Sequence, residues 1–293
     1  DEIQNELNNE RLYGIRPSLT NCTNAWIKGK GLDDIRTSIA LRGNDNKFFY
    51  NCFCRINGAE DKLTYANELF QFQQEIRNSK RKLVIVNEEI PKPTPEEIAG
   101  IKRSNYTKLD QLVLDLSSNI KYTANVELQR IMHKAFVDIV LAESKKEAGN
   151  LHRLTNKTVY LLCWLKRYMS ELFSNWKNSD VACFVYMGGC KNENEAMFIS
   201  FLGRLPIDVL ILCPNLNTKC CLQDKLLYEV NYTESLSINR FPEDNSPVKI
   251  GTVAYHAERD LDTLMYQDTG MYRNQQYGKA NVINLQTMYE EIR

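Results

Sequence analysis

The sequence lacks the features that mark a membrane protein or a nucleic-acid-binding protein. No apolar run approaches the roughly 18 residues that a membrane-spanning helix requires. Lys and Arg number 37, and Asp and Glu also number 37, so the formal net charge is zero. A balanced chain offers no excess of positive charge to a phosphate backbone or an acidic membrane. We therefore expect neither a membrane span nor a nucleic-acid partner.

Motifs for metal binding and catalysis are also missing. The nine cysteines form close pairs only at Cys52/Cys54 and Cys220/Cys221, and neither pair has the CxxC spacing of a zinc site. Of the three histidines, His133 lies beside an apolar helical stripe, and we interpret it as a core or surface residue rather than a ligand. No phosphate-binding loop and no nucleophile paired with a base can be read. The sequence therefore predicts no metal site and names no reaction, cofactor or catalytic residue.

Most of the cysteines stand in apolar contexts, such as Cys163 in "YLLCWL" and Cys213 in "LILCPN". Buried, reduced thiols are typical of a cytoplasmic protein, which is the compartment we expect. The first residues, "DEIQNELNNE", are acidic and polar, unlike a signal peptide. Because the chain does not begin with Met, we expect it to be processed or to be part of a longer protein.

The hydrophobic pattern predicts a smaller N-terminal α/β region over residues 1–120 and a helical connector over 121–178. The first contains a strand at 48–56, a helix and a second strand at 82–87. The basic run at the end of that helix, "RNSKRK", is interpreted as complementing the helix carbonyls rather than as an anion site. In "IPKPTPEE", Thr94 is the expected N-cap of a helix, with a capping box to Glu97.

The connector carries two amphipathic helical stripes, within 123–147 and at about 156–177, joined by "AGNLH". A Rossmann-like C-terminal domain is then predicted over 179–293. Its runs 180–187 and 207–214 are almost continuously apolar, as in parallel strands that are covered on both faces. The fold class predicted from the whole pattern is α/β.

The turn after the first of these runs is a candidate ligand site. Gly188 and Gly189 let the backbone approach a ligand closely, at the carboxyl end of a strand where such folds bind ligands. The spacing matches neither GxGxxG nor a P-loop, so it is weak evidence for a nucleotide. Asn192 is the expected N-cap of the next helix. Glu195 either completes a capping box with Asn192 or contacts a sugar hydroxyl.

A second candidate lies in the polar C-terminal segment "DTGMYRNQQ" and the residues before it. Its Arg and amide groups either hold an anionic or polyhydroxyl ligand or pair with each other in a surface loop. We expect this segment to face the Gly-Gly turn across one cleft, where Arg groups would offset the charge of Glu195. The candidate ligand-binding residues are Arg259, Asp268, Tyr272, Arg273 and Gln276.

Five segments together resemble a known family. They are "FFYNCFCRINGAEDKLTYANELF", "IPKPTPEEI", "KNENEAMFISFLGRLPIDVLILCPN", "AYHAERDLDTLMYQDTGMYRNQQY" and "TMYEEI". They resemble the YceG-like family of bacterial tellurite-resistance and general stress operons, which is distinct from the lytic transglycosylase of the same name. The resemblance extends over most of the chain, and "YQDTGMYRNQQ" is its most specific part. Members are usually longer than this chain.

The resemblance implies a cytoplasmic bacterial stress-response protein, a component of a biosynthetic module encoded beside tellurium-resistance proteins. It supplies no established reaction. We expect the chain to bind a nucleotide-like or phosphorylated metabolite, and any activity to be sugar-transferase-like by analogy of fold. The alternative is a non-catalytic scaffold for operon-encoded stress proteins.

Overall fold

A computed structural model describes residues 10–243 of the chain and shows a mixed α/β fold, which confirms the predicted fold class. The strands are β1 (Thr20–Thr23), β2 (Phe48–Asn51), β3 (Phe53–Asn57), β4 (Leu83–Asn87), β5 (Ala182–Met187), β6 (Ile207–Cys213) and β7 (Tyr228–Asn231). The helices are α1 (Leu32–Arg36), α2 (Tyr65–Asn78), α3 (Pro95–Ala99), α4 (Leu109–Ser117), α5 (Val126–Lys146), α6 (Leu151–Phe173) and α7 (Glu193–Leu202), with a short 3-10 helix at Ile39–Leu41. No helix among these is long and apolar enough to cross a membrane.

The main sheet has five strands in the order β4-β5-β6-β3-β7. The pairs β4-β5 and β5-β6 are parallel, with Leu83 opposite Cys183 and Ala182 opposite Ile207. Every residue of β5 and β6 is buried, which explains why both strands read as continuous apolar runs. The predicted parallel pair is therefore confirmed.

The predicted strand at 48–56 is divided between two sheets. Its first part, β2, pairs in parallel with β1, and its second part, β3, belongs to the five-stranded sheet. The division falls at Cys52, whose backbone N–H donates to the buried Asp208 carboxylate at 2.8 Å. The Asp208 carboxylate thus binds a backbone N–H that, in a continuous strand, would bond to a neighbouring strand.

Strands from both predicted α/β regions share the five-stranded sheet, and β5 and β6 lie between β3 and β4. The described part of the chain groups into two compact units, and the larger one comprises residues 10–55, Ile76–Leu212 and Lys219–Val230. Within the described residues, the smaller unit comprises Ile56–Glu75, Cys213–Thr218 and residues 231–243. The predicted boundaries near residues 120 and 178 stay a prediction. The sites described below belong to the larger unit.

The connector forms two helices, as the two apolar stripes predict. Asn125 caps α5 by accepting the Leu128 N–H at 2.9 Å. The turn that follows α5 has positive φ at Ala148 (51°) and Gly149 (84°). Helix α6 begins at Leu151, earlier than the predicted 156, because the Asn150 side chain caps it by accepting the Arg153 N–H at 3.1 Å.

An aromatic cluster joins α6 and α7 to the sheet. The Trp164 and Phe198 rings lie 5.6 Å apart, and Phe198 meets Phe184 of β5 edge-on at 6.3 Å. Tyr168 also packs edge-on against Phe184 at 5.8 Å. Edge-to-face pairs of this kind add to the stabilisation from apolar burial. The cluster fixes the position of the α7 N-terminus relative to the carboxyl end of β5.

The capping box predicted at α3 is confirmed, since Thr94 and Glu97 exchange side-chain-to-backbone hydrogen bonds. The Glu97 carboxylate also accepts two hydrogen bonds from Arg167 of α6, at 2.7 and 3.0 Å. The hydrogen bond from Arg167 is the main reason why the pKa of Glu97 is lowered to about 2. The pair ties the proline-rich segment to α6.

This pair predicts a pH-dependent contribution to stability. Because folding lowers the pKa of Glu97 from 4.5 to about 2, the contribution is present above pH 4.5 and is lost as the pH falls through about 2. Urea unfolding should show wild type more stable than Glu97→Gln at neutral pH, with the difference shrinking towards pH 2. Gln retains the capping geometry, so a difference that stays constant with pH would contradict the ion pair as its cause.

Candidate functional site

The Gly-Gly turn lies where the sequence predicts it, between the parallel strands β5 and β6 and before α7. Gly188 follows β5 directly, and its N–H donates to the Leu212 carbonyl of β6 at 3.0 Å. Its φ of 154° is one that residues with a side chain rarely adopt, and a Cβ would lie only 3.0 Å from the Glu88 carbonyl oxygen, a tight contact with backbone. The glycine therefore permits a close approach between the carboxyl ends of β4 and β5.

Asn192 is the N-cap of α7, as predicted. Its side-chain oxygen accepts hydrogen bonds from the N–H groups of Asn194 at 2.8 Å and Glu195 at 3.2 Å. These two N–H groups of the helix start are therefore bonded within the chain. A ligand at this place would depend on side chains more than on the helix backbone.

Glu195 lies inside the fold, with 2% of its surface exposed. Its carboxyl group is hydrogen-bonded to the Tyr186 hydroxyl and accepts the Ile90 N–H at 3.3 Å. The Tyr186 oxygen also lies 2.9 Å from the Glu88 carbonyl oxygen. Burial raises the pKa of Glu195, whereas the hydrogen bond that the Tyr186 hydroxyl donates to it lowers the pKa. The geometry gives Glu195 a structural role at the ends of β4 and β5.

The backbone is strained at this edge of the sheet. Glu88 and Cys190 follow β4 and β5 closely, and both have positive φ, 70° and 50°. Such conformations in residues other than glycine cost energy and cluster at functional sites. The strain therefore marks this edge as a candidate functional site independently of the Gly-Gly spacing.

The C-terminal candidates fall outside the described residues. The predicted cleft between the Gly-Gly turn and the "DTGMYRNQQ" segment consequently stays a prediction. The residues concerned are Arg259, Asp268, Tyr272, Arg273 and Gln276.

A cavity of about 560 Å³ opens beside the start of α7, and we call it the α7 pocket. Its volume lies within the range of about 300–1,000 Å³ that is usual for small-molecule sites. The Cys221 N–H donates to the Cys190 carbonyl at 3.0 Å, which places the pocket wall next to the Gly-Gly turn. The lining residues are Glu143, Lys146, Glu147, Asn150, Arg153, Glu193, Ala196, Cys221 and Gln223.

A buried lysine joins three helices by bonding to three glutamates that line the α7 pocket. The Lys157 side chain is 7% exposed, and its ammonium donates to Glu143 of α5 at 2.9 Å and to Glu193 of α7 at 2.6 Å. It also donates to Glu147. Burial opposes the charge, but the three carboxylates outweigh it and raise the pKa of Lys157. Lys157 is therefore a permanent cation and not a nucleophile at neutral pH.

Two further cations stand at the rim of the pocket. Lys146 lies 3.7 Å from the other Glu143 oxygen, and Arg153 donates to the other Glu147 oxygen at 3.0 Å. Their side chains are 64% and 60% exposed, whereas those of Glu143 and Glu147 are 8% and 7% exposed. A ligand entering from solvent therefore meets two cations and the exposed Glu193 before it meets the buried carboxylates of Glu143 and Glu147.

The three glutamates offer oxygens within 4.8 Å of one another, close enough to share a cation. The Lys157 ammonium is the cation that they share. Three carboxylates and three basic groups make the network neutral. Glu193, whose side chain is 64% exposed, is the carboxylate that can accept hydrogen bonds from ligand hydroxyls. The hydrogen bond from Lys157 lowers the pKa of Glu193, which keeps it an acceptor.

Sequence reasoning did not find the α7 pocket. Glu143 and Glu147 are four residues apart on one helix, but many surface helices carry such pairs. Lys157 is a polar residue in an amphipathic helix, and the sequence pattern does not indicate that it is buried. Only the packing of α5, α6 and α7 brings these charges together. The one local signal was Glu193, which stands beside the predicted cap.

Together these features define an α/β protein with a polar, ligand-sized pocket beside the carboxyl end of a parallel strand. A family model described as the YceG domain matches residues 28–266, a range that contains every residue lining the pocket. The chain therefore belongs to the YceG domain family, as the sequence resemblance predicts. No curated protein and no solved structure matches the chain.

Proposed function

We propose that the α7 pocket binds a nucleotide-like or phosphorylated metabolite. The observation that carries the proposal is the charge arrangement, with Lys146 and Arg153 exposed at the rim above carboxylates neutralised by Lys157. The cavity volume of about 560 Å³ suits a ligand of this size. Its position beside the end of β5 is where α/β sheets bind ligands.

The proposed recognition divides the ligand between two kinds of group. Arg153 and Lys146 bind the anionic part, and the planar Arg153 guanidinium suits two phosphate oxygens at once. Glu193 accepts hydrogen bonds from sugar hydroxyls. Arg153 exchanges the Glu147 carboxylate for the ligand anion, so binding is expected to weaken as salt rises.

The wider setting belongs to the same proposal. A cytoplasmic bacterial protein of stress response and tellurite resistance, within a biosynthetic module, is what the YceG-like resemblance implies. Family membership and nine free thiols, six of them buried, support this setting. Any activity is proposed to be sugar-transferase-like. The C-terminal candidates Arg259, Asp268, Tyr272, Arg273 and Gln276 are proposed to contact the same ligand.

A scaffold for operon-encoded partners is the second candidate. The observation that favours it is the pairing within the network, where each of the three glutamates already bonds to Lys157. In that case the charges only join α5, α6 and α7. The two functions differ in whether Arg153 and Lys146 have a ligand.

Thermal unfolding in the presence of nucleotides, nucleotide sugars and sugar phosphates distinguishes the two functions. A ligand that binds only the folded state adds about 2.7 kcal/mol to the free energy of unfolding at a hundredfold excess over Kd, by mass action. This stabilisation raises the midpoint of thermal unfolding. We expect at least one panel member to raise the wild-type midpoint, and Arg153→Gln to reduce that shift. Arg77→Gln, an exposed arginine that does not line the pocket, is the control. No shift with any panel member at millimolar concentration, together with capture of purified operon-encoded proteins, would favour the scaffold.

A further inference from the structure

Two thiols lie together at the edge of the α7 pocket. Cys190 follows the Gly-Gly turn and is fully buried, whereas Cys221 is exposed and lines the pocket. The Cys221 backbone N–H donates to the Cys190 carbonyl oxygen at 3.0 Å. The Cys221 thiol donates to the same oxygen at 2.9 Å. The two residues, 31 positions apart in the chain, are therefore neighbours in the fold.

This geometry suits a covalent link between the two sulfur atoms. The 3.0 Å bond between the Cys221 nitrogen and the Cys190 carbonyl oxygen limits the two Cα atoms to a separation of about 7 Å, because each Cα lies within about 2.5 Å of its bonded atom. A disulfide spans Cα atoms about 4.4–6.8 Å apart. The Cys221 sulfur lies 2.9 Å from the Cys190 carbonyl oxygen, which places the two side chains next to each other. Burial raises the pKa of Cys190, and the nearby Cys221 raises it further. Bond formation requires the Cys221 side chain to rotate away from the carbonyl oxygen that its thiol contacts.

We propose that Cys190 and Cys221 form a reversible disulfide by exchange with a small-molecule disulfide. The exposed Cys221 loses its proton to solvent, and its thiolate attacks one sulfur of the small disulfide. This forms a mixed disulfide and releases one small thiol. Cys190 then loses its proton and attacks the Cys221 sulfur, which releases the second small thiol. The protein loses two protons and two electrons, and these reduce the small disulfide to two thiols.

The neighbouring Cys220 has a different partner. Its sulfur accepts a hydrogen bond from Arg55 Nη1 at 2.8 Å, which directs it towards that guanidinium. Cys220→Ser is therefore the matched control for the pair. Burial raises the pKa of Cys221, so its reactive thiolate becomes more abundant as pH rises, and exchange should be faster at higher pH. The link does not depend on a metabolite in the pocket.

The test uses the full chain, oxidised glutathione as the disulfide, and peptide mapping by mass spectrometry after alkylation without reduction. We expect a Cys190–Cys221 cross-linked peptide in wild type and in Cys220→Ser, and its reversal by dithiothreitol. Cys221→Ser should form none, and Cys190→Ala should accumulate glutathione at Cys221. Since Cys221 is exposed, Cys221→Ser is expected to fold, so the test does not depend on the buried Cys190 variant.

Three results would overturn the proposal. The first is a cross-link that joins Cys220 to Cys221 or to Cys190. The second is a wild-type protein that stops at the mixed disulfide on Cys221. The third is a folded protein that forms no cross-link while the urea-unfolded chain is oxidised under the same conditions.

Discussion

Asp208→Asn is expected to lower the free energy of unfolding by about 3–5 kcal/mol, the range for breaking a buried ion pair. Asp208 is fully buried and accepts two hydrogen bonds from Arg42, both at 2.8 Å, and one from Arg81 at 2.5 Å. Burial opposes the Arg81 charge, but Asp208 outweighs this and raises the pKa of Arg81. Asn would leave two guanidinium groups inside the fold without a carboxylate. Because whole domains are stable by only about 5–15 kcal/mol, the loss is a large fraction of the total.

Chemical denaturation of wild type and Asp208→Asn measures this effect, and Asp33→Asn provides the control. Asp33 also pairs with an arginine, Arg36, at 2.6 Å, but its side chain is 68% exposed. An exposed pair contributes about 0–1 kcal/mol, so the control should change little. Equal losses in the two variants would show that burial does not set the strength of the Asp208 cluster.

Lys157→Met is the second change with a large expected effect, again about 3–5 kcal/mol. It removes the ammonium that three glutamates share, and two of those side chains are only 8% and 7% exposed. Without the ammonium, the three carboxylates repel one another at a site that is partly shielded from solvent. Because Lys157 lowers the pKa of Glu193, the contribution of that pair is present above the usual pKa of a glutamate and is lost as the pH falls through the lowered pKa, so the loss should shrink in acid.

Urea unfolding as a function of pH tests this prediction, with Lys134→Met as the control. Lys134 bonds Asp138 on the same helix at 2.8 Å, and its side chain is 40% exposed. A pair of this kind is worth about 0.3–0.5 kcal/mol. If Lys157→Met were no more destabilising than Lys134→Met, the network would not be the structural base of the α7 pocket.

Local signals in the sequence predict the elements well where neighbouring residues determine them. The β5-turn-α7-β6 unit combines two apolar runs, a Gly pair and an Asn cap within about thirty residues, and each signal acts over one turn or strand. The Thr94 capping box is equally local. For this reason their positions are found to within one or two residues.

The sequence pattern does not predict contacts between residues that are far apart in the chain. Asp208 is one polar residue inside an apolar strand, and its partners Arg42 and Arg81 lie 166 and 127 positions away. The same side chain interrupts the predicted strand at 48–56 by binding the Cys52 N–H. The α7 pocket likewise requires the packing of three helices. A pattern with a period of two or four residues contains no information on such pairings.

Glu195 shows the limit of reasoning from spacing at a candidate site. The capping interpretation places it at the helix start, where it is found, and Asn192 does cap α7. Its carboxyl group, however, reaches Tyr186 and Ile90 in the interior. The exposed carboxylate at this helix start is Glu193, two residues earlier. A shift of two positions moves a side chain by more than half a turn of the helix, from pocket to core.

Calorimetric titration of Arg153→Gln tests the proposed ligand site most directly. The ligand is the panel member that raises the midpoint of wild-type unfolding most, and Arg77→Gln is titrated beside it. If the α7 pocket binds the anionic part through Arg153, the variant should lose about 1.5–3 kcal/mol of binding free energy, the range for a hydrogen bond to a charged group. Arg77→Gln should bind as wild type does. Equal affinity of Arg153→Gln and wild type would contradict the assignment of the ligand to this pocket.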